Sequence, residues 1–199
     1  MSFNKLAFAG KPLAGLIIAA ALATQLAGCF PVVAGGMVAG GAMAADRRSS
    51  GTYIDDQSIE LKVGKNIVDN IGSANIHVNV TSYNRSVLLT GEVIDAAAKA
   101  KAETVAKSIE NVKNVTNELV IDENSKLTER NNDTYITTKV KSRMIKENKF
   151  PANYVKVVTE ISTVYLMGLV THKEADDAVE IARGTDGVQK VVKVFEYID

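Results

Sequence analysis

Two stretches of this sequence share one pattern: VLLTGEV at residues 87–93 and VYLMGLV at residues 164–170. Both are short, mostly apolar runs with a glycine at the fifth position, which is typical of a buried strand. Apolar residues on either side recur at the same spacing of 77, or of 76 after one residue has been dropped. The matched pairs are Ile59 and Ile136, Val63 and Val140, Ala102 and Ala178, Val105 and Ile181, and Val112 and Val188. The sequence therefore predicts one fold that occurs twice in the chain.

Each copy is predicted to be an α+β unit with the order helix, strand, strand, helix, strand. In the first copy, Ile59, Val63 and Ile67 recur every four residues and so lie on one face of a helix. The later elements are predicted at residues 75–81 (strand), 85–94 (strand), 95–109 (helix capped by Asp95) and 112–121 (strand). Gly91 and Gly168 lie inside strands, where glycine weakens pairing unless another part of the backbone comes close. We interpret both as packing sites for the first helix of their copy.

The N-terminus has the pattern of an export signal. Residues 1–28 carry two lysines and no acid, and residues 13–24 form an apolar run that precedes Leu-Ala-Gly-Cys. A basic start, an apolar segment and small residues before a cut indicate a signal peptide. The four residues ending at Cys29 resemble the bacterial lipobox, which implies acylation of Cys29. The alternative is a transmembrane helix with a buried cysteine, but the run is shorter than the about 20 residues that span a bilayer. Residue 30 is Phe and not the Asp that resembles an inner-membrane retention signal in enterobacteria, so the resemblance favours the outer membrane.

These patterns divide the chain into five segments. Residues 29–53 are predicted to be a lipidated, flexible tether because they are rich in Gly and Ala. The two copies are placed at residues 54–122 and 133–199, and residues 123–132 form a polar linker between them. With the signal peptide at residues 1–28, the predicted protein is two tandem domains held near a membrane.

Composition excludes several classes of function. The chain has 23 basic and 23 acidic side chains, so it lacks the basic excess of a nucleic-acid binder. One Cys excludes an internal disulfide or a multi-thiolate metal site. Serine-hydrolase, zinc-protease and P-loop motifs are absent from the sequence, so it predicts no catalytic residue, no metal site and no cofactor. His77 is expected to face solvent, because Ile76, Val78 and Val80 take the other side of its strand.

The paired strands, the Ala-rich helix and the Val-x-x-Val that follows it resemble the BON domain (bacterial OsmY and nodulation). The resemblance covers residues 54–199. With the lipobox and Asp46-Arg47-Arg48-Ser49, the chain resembles the dual-BON outer-membrane lipoproteins associated with division and outer-membrane stress. The resemblance implies no catalysis, a lipid anchor on the periplasmic face of the outer membrane with enrichment at the division site, and support of membrane integrity. It also implies binding to anionic phospholipids such as phosphatidylglycerol and cardiolipin.

The first helix of the second copy has the residues for such binding. Ile136, Val140 and Met144 lie on one side of the helix and are expected to face the sheet. Residues 133–149 carry five basic and two acidic groups, a net charge of +3, whereas residues 55–70 carry two basic and four acidic groups, a net charge of −2. The opposite face predicts a phospholipid-binding site formed by Tyr135, Lys139, Ser142, Ile145, Lys146 and Lys149.

Two other interpretations of this helix stay open. The lysines could form an ordinary solvated face, with Tyr135 packed on the linker or on the other copy. The protein could also be a non-catalytic adaptor that recruits envelope-assembly or cell-division proteins. Lipid binding predicts affinity that falls as salt rises, whereas an adaptor predicts a stoichiometric protein complex that forms without lipid.

Overall fold

The computed structural model describes residues 46–73 and 76–199. The predicted signal peptide, Cys29 and the tether as far as residue 45 lie outside the described residues. Within the described part, the order helix, strand, strand, helix, strand occurs twice, as predicted from the repeat. The structure therefore confirms the α+β class and the two tandem units.

The first copy has its sheet built around a central strand. Its elements are α1 (Ser50–Ile71), β1 (His77–Tyr83), β2 (Ser86–Val93), α2 (Ala96–Lys107), β3 (Asn114–Asn117) and β4 (Val120–Ile121). Strand β2 pairs antiparallel with β1 and parallel with both β3 and β4. Asp95 accepts a hydrogen bond from the Ala98 backbone N–H and caps α2, as expected from the sequence.

The second copy repeats this topology. Its elements are α3 (Leu127–Glu147), a 3₁₀ turn (Ala152–Tyr154), β5 (Val155–Glu160), β6 (Thr163–Val170), α4 (His172–Arg183) and β7 (Lys190–Tyr197). Strand β6 pairs antiparallel with β5 and parallel with β7. Thr171 and Glu174 form a capping box at the start of α4. In both copies the two helices cover one face of the sheet. Each copy has its own apolar core, which lies between its helices and its sheet.

Both long helices begin earlier than the sequence predicted. Helix α1 starts at Ser50, inside the predicted tether, because the Ser49 hydroxyl accepts a hydrogen bond from the Thr52 backbone N–H. Helix α3 starts at Leu127, inside the predicted linker, where Glu129 accepts a hydrogen bond from the Lys126 backbone N–H. Their first turns contain no buried residue, so the apolar periodicity that marks the buried part of a helix does not extend into them.

The last strand of the first copy is interrupted, whereas the sequence predicted one strand over residues 112–121. The Asn117 side chain turns towards α2 and donates hydrogen bonds to Lys99 and Glu103. Leu119 then enters the core and is 1% exposed. This local turn separates β3 from β4, whereas the matching strand β7 runs without a break.

The two sheets pack against each other through the faces that carry no helices. Tyr83 and Leu88 of the first copy form one apolar cluster with Tyr165, Met167 and Leu169 of the second. Polar contacts border this interface, including Lys156 to Glu60 at 2.8 Å and Asn84 to Glu196 at 2.7 Å. Because this face of the sheet is covered, His77 is less exposed to solvent than the sequence predicted. The sequence placed this side chain in solvent, but it is half-buried because the other copy covers that side of β1.

Gly91 and Gly168 mark close contacts between backbones, although not with the first helix as predicted. A Cβ at Gly91 would lie 1.9 Å from the His77 carbonyl oxygen, on the paired strand. A Cβ at Gly168 would lie 2.4 Å from the Tyr154 carbonyl oxygen, just before β5. Gly91 also has φ +110°, a conformation that other residues rarely adopt. The paired strand β1 requires Gly91, and the 3₁₀ turn before β5 requires Gly168, so helix packing requires neither glycine.

We expect Gly91→Ala and Gly168→Ala to destabilise the fold by about 2–4 kcal/mol, with the larger loss at Gly91 because its φ adds backbone strain to the overlap. Gly64→Ala in α1 is the matched control, because a Cβ there would meet nothing within 4 Å. That change should raise stability by about 0.5–1 kcal/mol through helix propensity. Urea denaturation of the three variants would measure these differences, and equal stability of Gly91→Ala and Gly64→Ala would contradict the assignment.

Candidate membrane-binding face

Helix α3 separates an apolar side from an exposed side as the sequence predicted. Ile136, Val140 and Met144 are at most 1% exposed and belong to the core of the second copy. Tyr135 and Ile145 point away from that core and are 62% and 68% exposed. The exposure of Tyr135 contradicts the interpretation in which it packs on the linker or the other copy. Two large apolar side chains therefore stand in solvent on one helix.

Basic and hydroxyl side chains surround Tyr135. The Lys139 Nζ lies over its ring, 4.8 Å from the centroid, in a cation–π contact. Ser142 and Lys146 follow on the next turns of the same face, and both are exposed. Among the described residues, Lys139 and Lys146 have no carboxylate partner. Their positive charge therefore remains available to an anionic ligand.

Lys149 does not lie on the exposed face of α3, where the sequence predicted it. Helix α3 ends at Glu147 because Asn148 takes the left-handed conformation with φ 48°. Lys149 consequently lies beyond the helix and contacts α4, where its Nζ is 2.9 Å from Glu180 and 3.8 Å from Asp177. These carboxylates raise the pKa of Lys149, chiefly through the hydrogen bond to Glu180. Its charge is therefore already paired.

Lys141, which the sequence analysis did not assign to the site, adds an exposed positive charge to α3. It is exposed and has no carboxylate partner among the described residues. It lies with Ile145 along a groove that α3 forms with Tyr53 and Gln57 of α1. Arg143, by contrast, bonds to the Ile181 carbonyl and to Glu147. The candidate face thus consists of Tyr135, Lys139, Ser142, Ile145, Lys146 and, at its edge, Lys141.

Helix α1 has a different surface. Its acidic side chains are paired: Asp55 with Arg85, Asp56 with Arg48, Glu60 with Lys156 and Asp69 with Lys65. Its exposed apolar residues are Ile54, Leu61 and Val68, spaced seven apart, and Leu61 is 76% exposed. Because seven residues are close to two helical turns, these three form a single stripe. Helix α1 therefore presents an apolar stripe on a helix that carries four acidic and two basic side chains, a net charge of −2.

Two arginines, Arg47 and Arg48, fix the point where the chain enters the globular part, whereas the sequence analysis named them only as part of a family motif. Arg47 donates two hydrogen bonds to the Glu174 carboxylate and lies 3.8 Å over the Tyr154 ring. Those hydrogen bonds hold the pKa of the Glu174 carboxyl below its usual value. Arg48 pairs with Asp56 of the first copy and lies 4.0 Å over Tyr83. Arg47 and Arg48 therefore connect both copies to the segment that directly precedes α1.

The model of the BON domain matches residues 55–123 and 132–199. The outer membrane lipoprotein DolP of Haemophilus influenzae is 39% identical over 95% of this chain and 98% of its own length. The 21 kDa hemolysin of Actinobacillus pleuropneumoniae is 35% identical, over 77% of this chain and 79% of its own. Osmotically-inducible protein Y of Escherichia coli is 30% identical, over 71% and 72%.

The chain therefore belongs to the BON-domain family, as a dual-BON outer-membrane lipoprotein of the envelope. This confirms the family that the sequence predicted, and the similarity to an outer membrane lipoprotein supports the predicted outer-membrane location. Across residues 46–73 and 76–199, no helix is both long and apolar enough to cross a bilayer.

Proposed function

We propose that the exposed face of α3 binds anionic phospholipid at the periplasmic side of the outer membrane, and that this binding supports membrane integrity. The observation that carries the proposal is that two exposed apolar side chains, Tyr135 and Ile145, share one helix with three lysines that have no carboxylate partner in the described part of the chain. These lysines are Lys139, Lys141 and Lys146. Tyrosine suits a membrane interface because its ring is apolar and its hydroxyl prefers water. Lysines attract phosphate headgroups, and Ser142 adds a hydrogen-bonding hydroxyl.

The expected affinity of this face alone is low. Each lysine near an anionic surface contributes about 1 kcal/mol, and insertion of Ile145 contributes about 2 kcal/mol. A total of about 5 kcal/mol before ordering costs corresponds to a dissociation constant of roughly 0.1–1 mM. A protein that relied on this face alone would leave the membrane often.

Acylation of Cys29 would keep the protein at the membrane despite the low affinity of the α3 face. We propose that Cys29 is the mature N-terminus and carries acyl chains, which anchor a protein stably when two or more are present. Sixteen residues lie between Cys29 and Asp46, a span of at most about 60 Å. A short tether gives an effective concentration on the order of mM. That concentration is similar to the dissociation constant of the face, so the anchored protein would spend much of its time in contact with the surface.

The first test uses the parent fragment 46–199, which lacks the anchor and contains both cores. It should sediment with vesicles that contain phosphatidylglycerol or cardiolipin at millimolar lipid, and not with vesicles of phosphatidylcholine alone. Binding should weaken steeply as salt rises, because screening shortens the reach of the lysine charges. Equal binding to neutral vesicles, or binding unchanged by salt, would contradict the proposal.

The anchor has a separate test. Mass spectrometry of the native protein should show that residues 1–28 are missing and that Cys29 carries acyl mass. Cys29→Ser should keep residues 1–28 and carry no acyl mass. An unmodified protein that begins at Met1 would refute the acylation of Cys29 without bearing on the vesicle result.

A second candidate function rests on the stripe of Ile54, Leu61 and Val68. An exposed apolar stripe on a helix with a net charge of −2 suits a protein partner better than an anionic membrane surface. If the protein is an adaptor for an envelope protein, Leu61→Glu should abolish a stoichiometric complex that forms in the absence of lipid. Loss of vesicle binding in Leu61→Glu would instead place the stripe in the membrane contact.

A further inference from the structure

A cluster of three titratable side chains lies where the two sheets meet. It consists of His77 on β1, Glu92 on β2 and Glu160 at the end of β5. His77 and Glu92 are directly opposite each other in the register of β1 and β2. One ring nitrogen of His77 and one carboxylate oxygen of each glutamate all lie within 4.8 Å of one another. The first copy thus supplies two groups of the cluster and the second copy supplies one.

One oxygen of this cluster is buried without a partner. Glu92 is 1% exposed, and its Oε1 has no hydrogen-bond partner, which is true of no other buried side-chain atom in the described part of the chain. Its Oε2 has a long contact of 3.4 Å with the Ser125 hydroxyl. A buried carboxylate that lacks partners is costly. The position therefore requires a proton or a cation.

Glu160 has one oxygen that is satisfied and one that faces His77. Its Oε2 accepts hydrogen bonds from the Asn79 amide at 2.6 Å and from the Thr90 hydroxyl at 3.3 Å. Its Oε1 lies 3.7 Å from Nε2 of His77. Burial, with the negative charge of Glu92 nearby, raises the pKa of the Glu160 carboxyl. Such a shift is expected where two acids share a poorly solvated site.

His77 is suited to bind a metal ion. Burial, together with the positive charge of Arg130, lowers its pKa and so favours the neutral form of the imidazole, which is the form that binds metals. The Asn79 amide nitrogen lies 3.2 Å from Nε2 of His77. Because an amide nitrogen can only donate, Nε2 carries the lone pair in that contact, and a metal ion bound at Nε2 would replace the contact with Asn79. Among the nearby charges, Arg130 disfavours a cation and Asp133 favours one.

We propose that His77, Glu92 and Glu160 bind one divalent first-row transition-metal ion, with Zn²⁺ the best fit, in a site that joins the two copies. An imidazole nitrogen and two carboxylate oxygens are zinc ligands, whereas Ca²⁺ and Mg²⁺ prefer oxygen alone. Ligands of a tetrahedral zinc ion lie about 3.4 Å apart, so the 3.7 Å between Nε2 and Oε1 requires little movement. His77 and Glu160 also line an open cleft with Arg130 and Asp133, which gives an ion access to the site.

The test uses the full chain purified in detergent and stripped of metal with a chelator. Calorimetric titration with ZnCl₂ should show one ion bound per chain. At a hundredfold excess over the dissociation constant, zinc should raise the melting temperature by about 5 °C or more, because it binds only the folded state. A chain that takes up no stoichiometric zinc would overturn the proposal.

The chain has a matched control in its other histidine. His77→Ala and Glu160→Gln should each weaken zinc binding at least about tenfold, since each removes a ligand. His172→Ala should bind zinc like the parent, because His172 is exposed and lies against Asp199, away from the cluster. Melting curves recorded without metal show whether each variant is folded. A folded His77→Ala protein with the parent's affinity would overturn the proposal.

A proton shared by Glu92 and Glu160 could instead satisfy the buried oxygen. In that case Glu92→Gln and Glu160→Gln would each raise the melting temperature without metal, and the parent would take up no zinc. This combination would replace the metal site with a protonated carboxyl pair.

Discussion

Asp133→Ala is expected to lower the free energy of unfolding by about 3 kcal/mol. The Asp133 carboxylate is 5% exposed and accepts hydrogen bonds from the backbone N–H groups of Ile161 and Ser162, at 2.8 and 2.9 Å. Those two residues form the β5–β6 turn with positive φ values of 47° and 56°. Hydrogen bonds to a charged group contribute about 1.5–3 kcal/mol each, and partial access of water to the turn reduces the combined loss. Urea denaturation would measure the change.

Asp56 provides the matched comparison in the first copy. Its carboxylate accepts hydrogen bonds from the backbone N–H groups of Asn84 and Arg85, which also have positive φ, and it also pairs with Arg48. Asp56→Ala should therefore cost at least as much as Asp133→Ala. Asp176→Ala, an exposed acid on α4, should change stability by less than about 0.5 kcal/mol. Equal stability of Asp133→Ala and Asp176→Ala would show that the carboxylate does not hold the turn.

The internal repeat was enough to predict the architecture. The spacing of Val87 and Val164, and of their neighbours, specifies the same buried positions in each copy, and the structure buries them. Capping by Asp95 and by Thr171 was also predictable, because a helix N-terminus depends on residues close in sequence. The matched positions of Asp56 and Asp133 were visible as a repeat, but their contacts with distant turns are tertiary.

The contact between the two sheets was not predictable. Leu88, Tyr165 and Met167 lie on strands that are buried on both faces, and the sequence does not show what covers the second face. For the same reason, the expectation that His77 faces solvent was wrong: the sequence does not show that the other copy covers its side of β1. Lys149 was placed on the exposed face because helix periodicity was extended past Asn148, whose left-handed conformation ends α3. Tyr135 and Ile145 were located correctly because both lie before Glu147, the last residue of α3, where the helix periodicity still holds.

The second large effect concerns the face of α3. Replacing Tyr135 and Ile145 together with Glu should reduce binding of fragment 46–199 to anionic vesicles by more than tenfold. The change removes the apolar insertion and places two negative charges against the headgroups, and a loss of 1.4 kcal/mol already corresponds to a factor of about ten. Folding should be little affected, because both side chains point away from the core. Val140→Glu, in the core beneath the same helix, should unfold the second copy.

The repeat supplies the control, because Ser58 and Val68 of α1 occupy the positions that match Tyr135 and Ile145. The decisive measurement is co-sedimentation of the two double variants with phosphatidylglycerol vesicles, alongside circular dichroism to confirm that both are folded. Phospholipid binding by α3 predicts that Ser58→Glu with Val68→Glu sediments like the parent, and that Tyr135→Glu with Ile145→Glu stays in the supernatant. A folded Tyr135→Glu, Ile145→Glu protein that sediments like the parent would contradict phospholipid binding by this face.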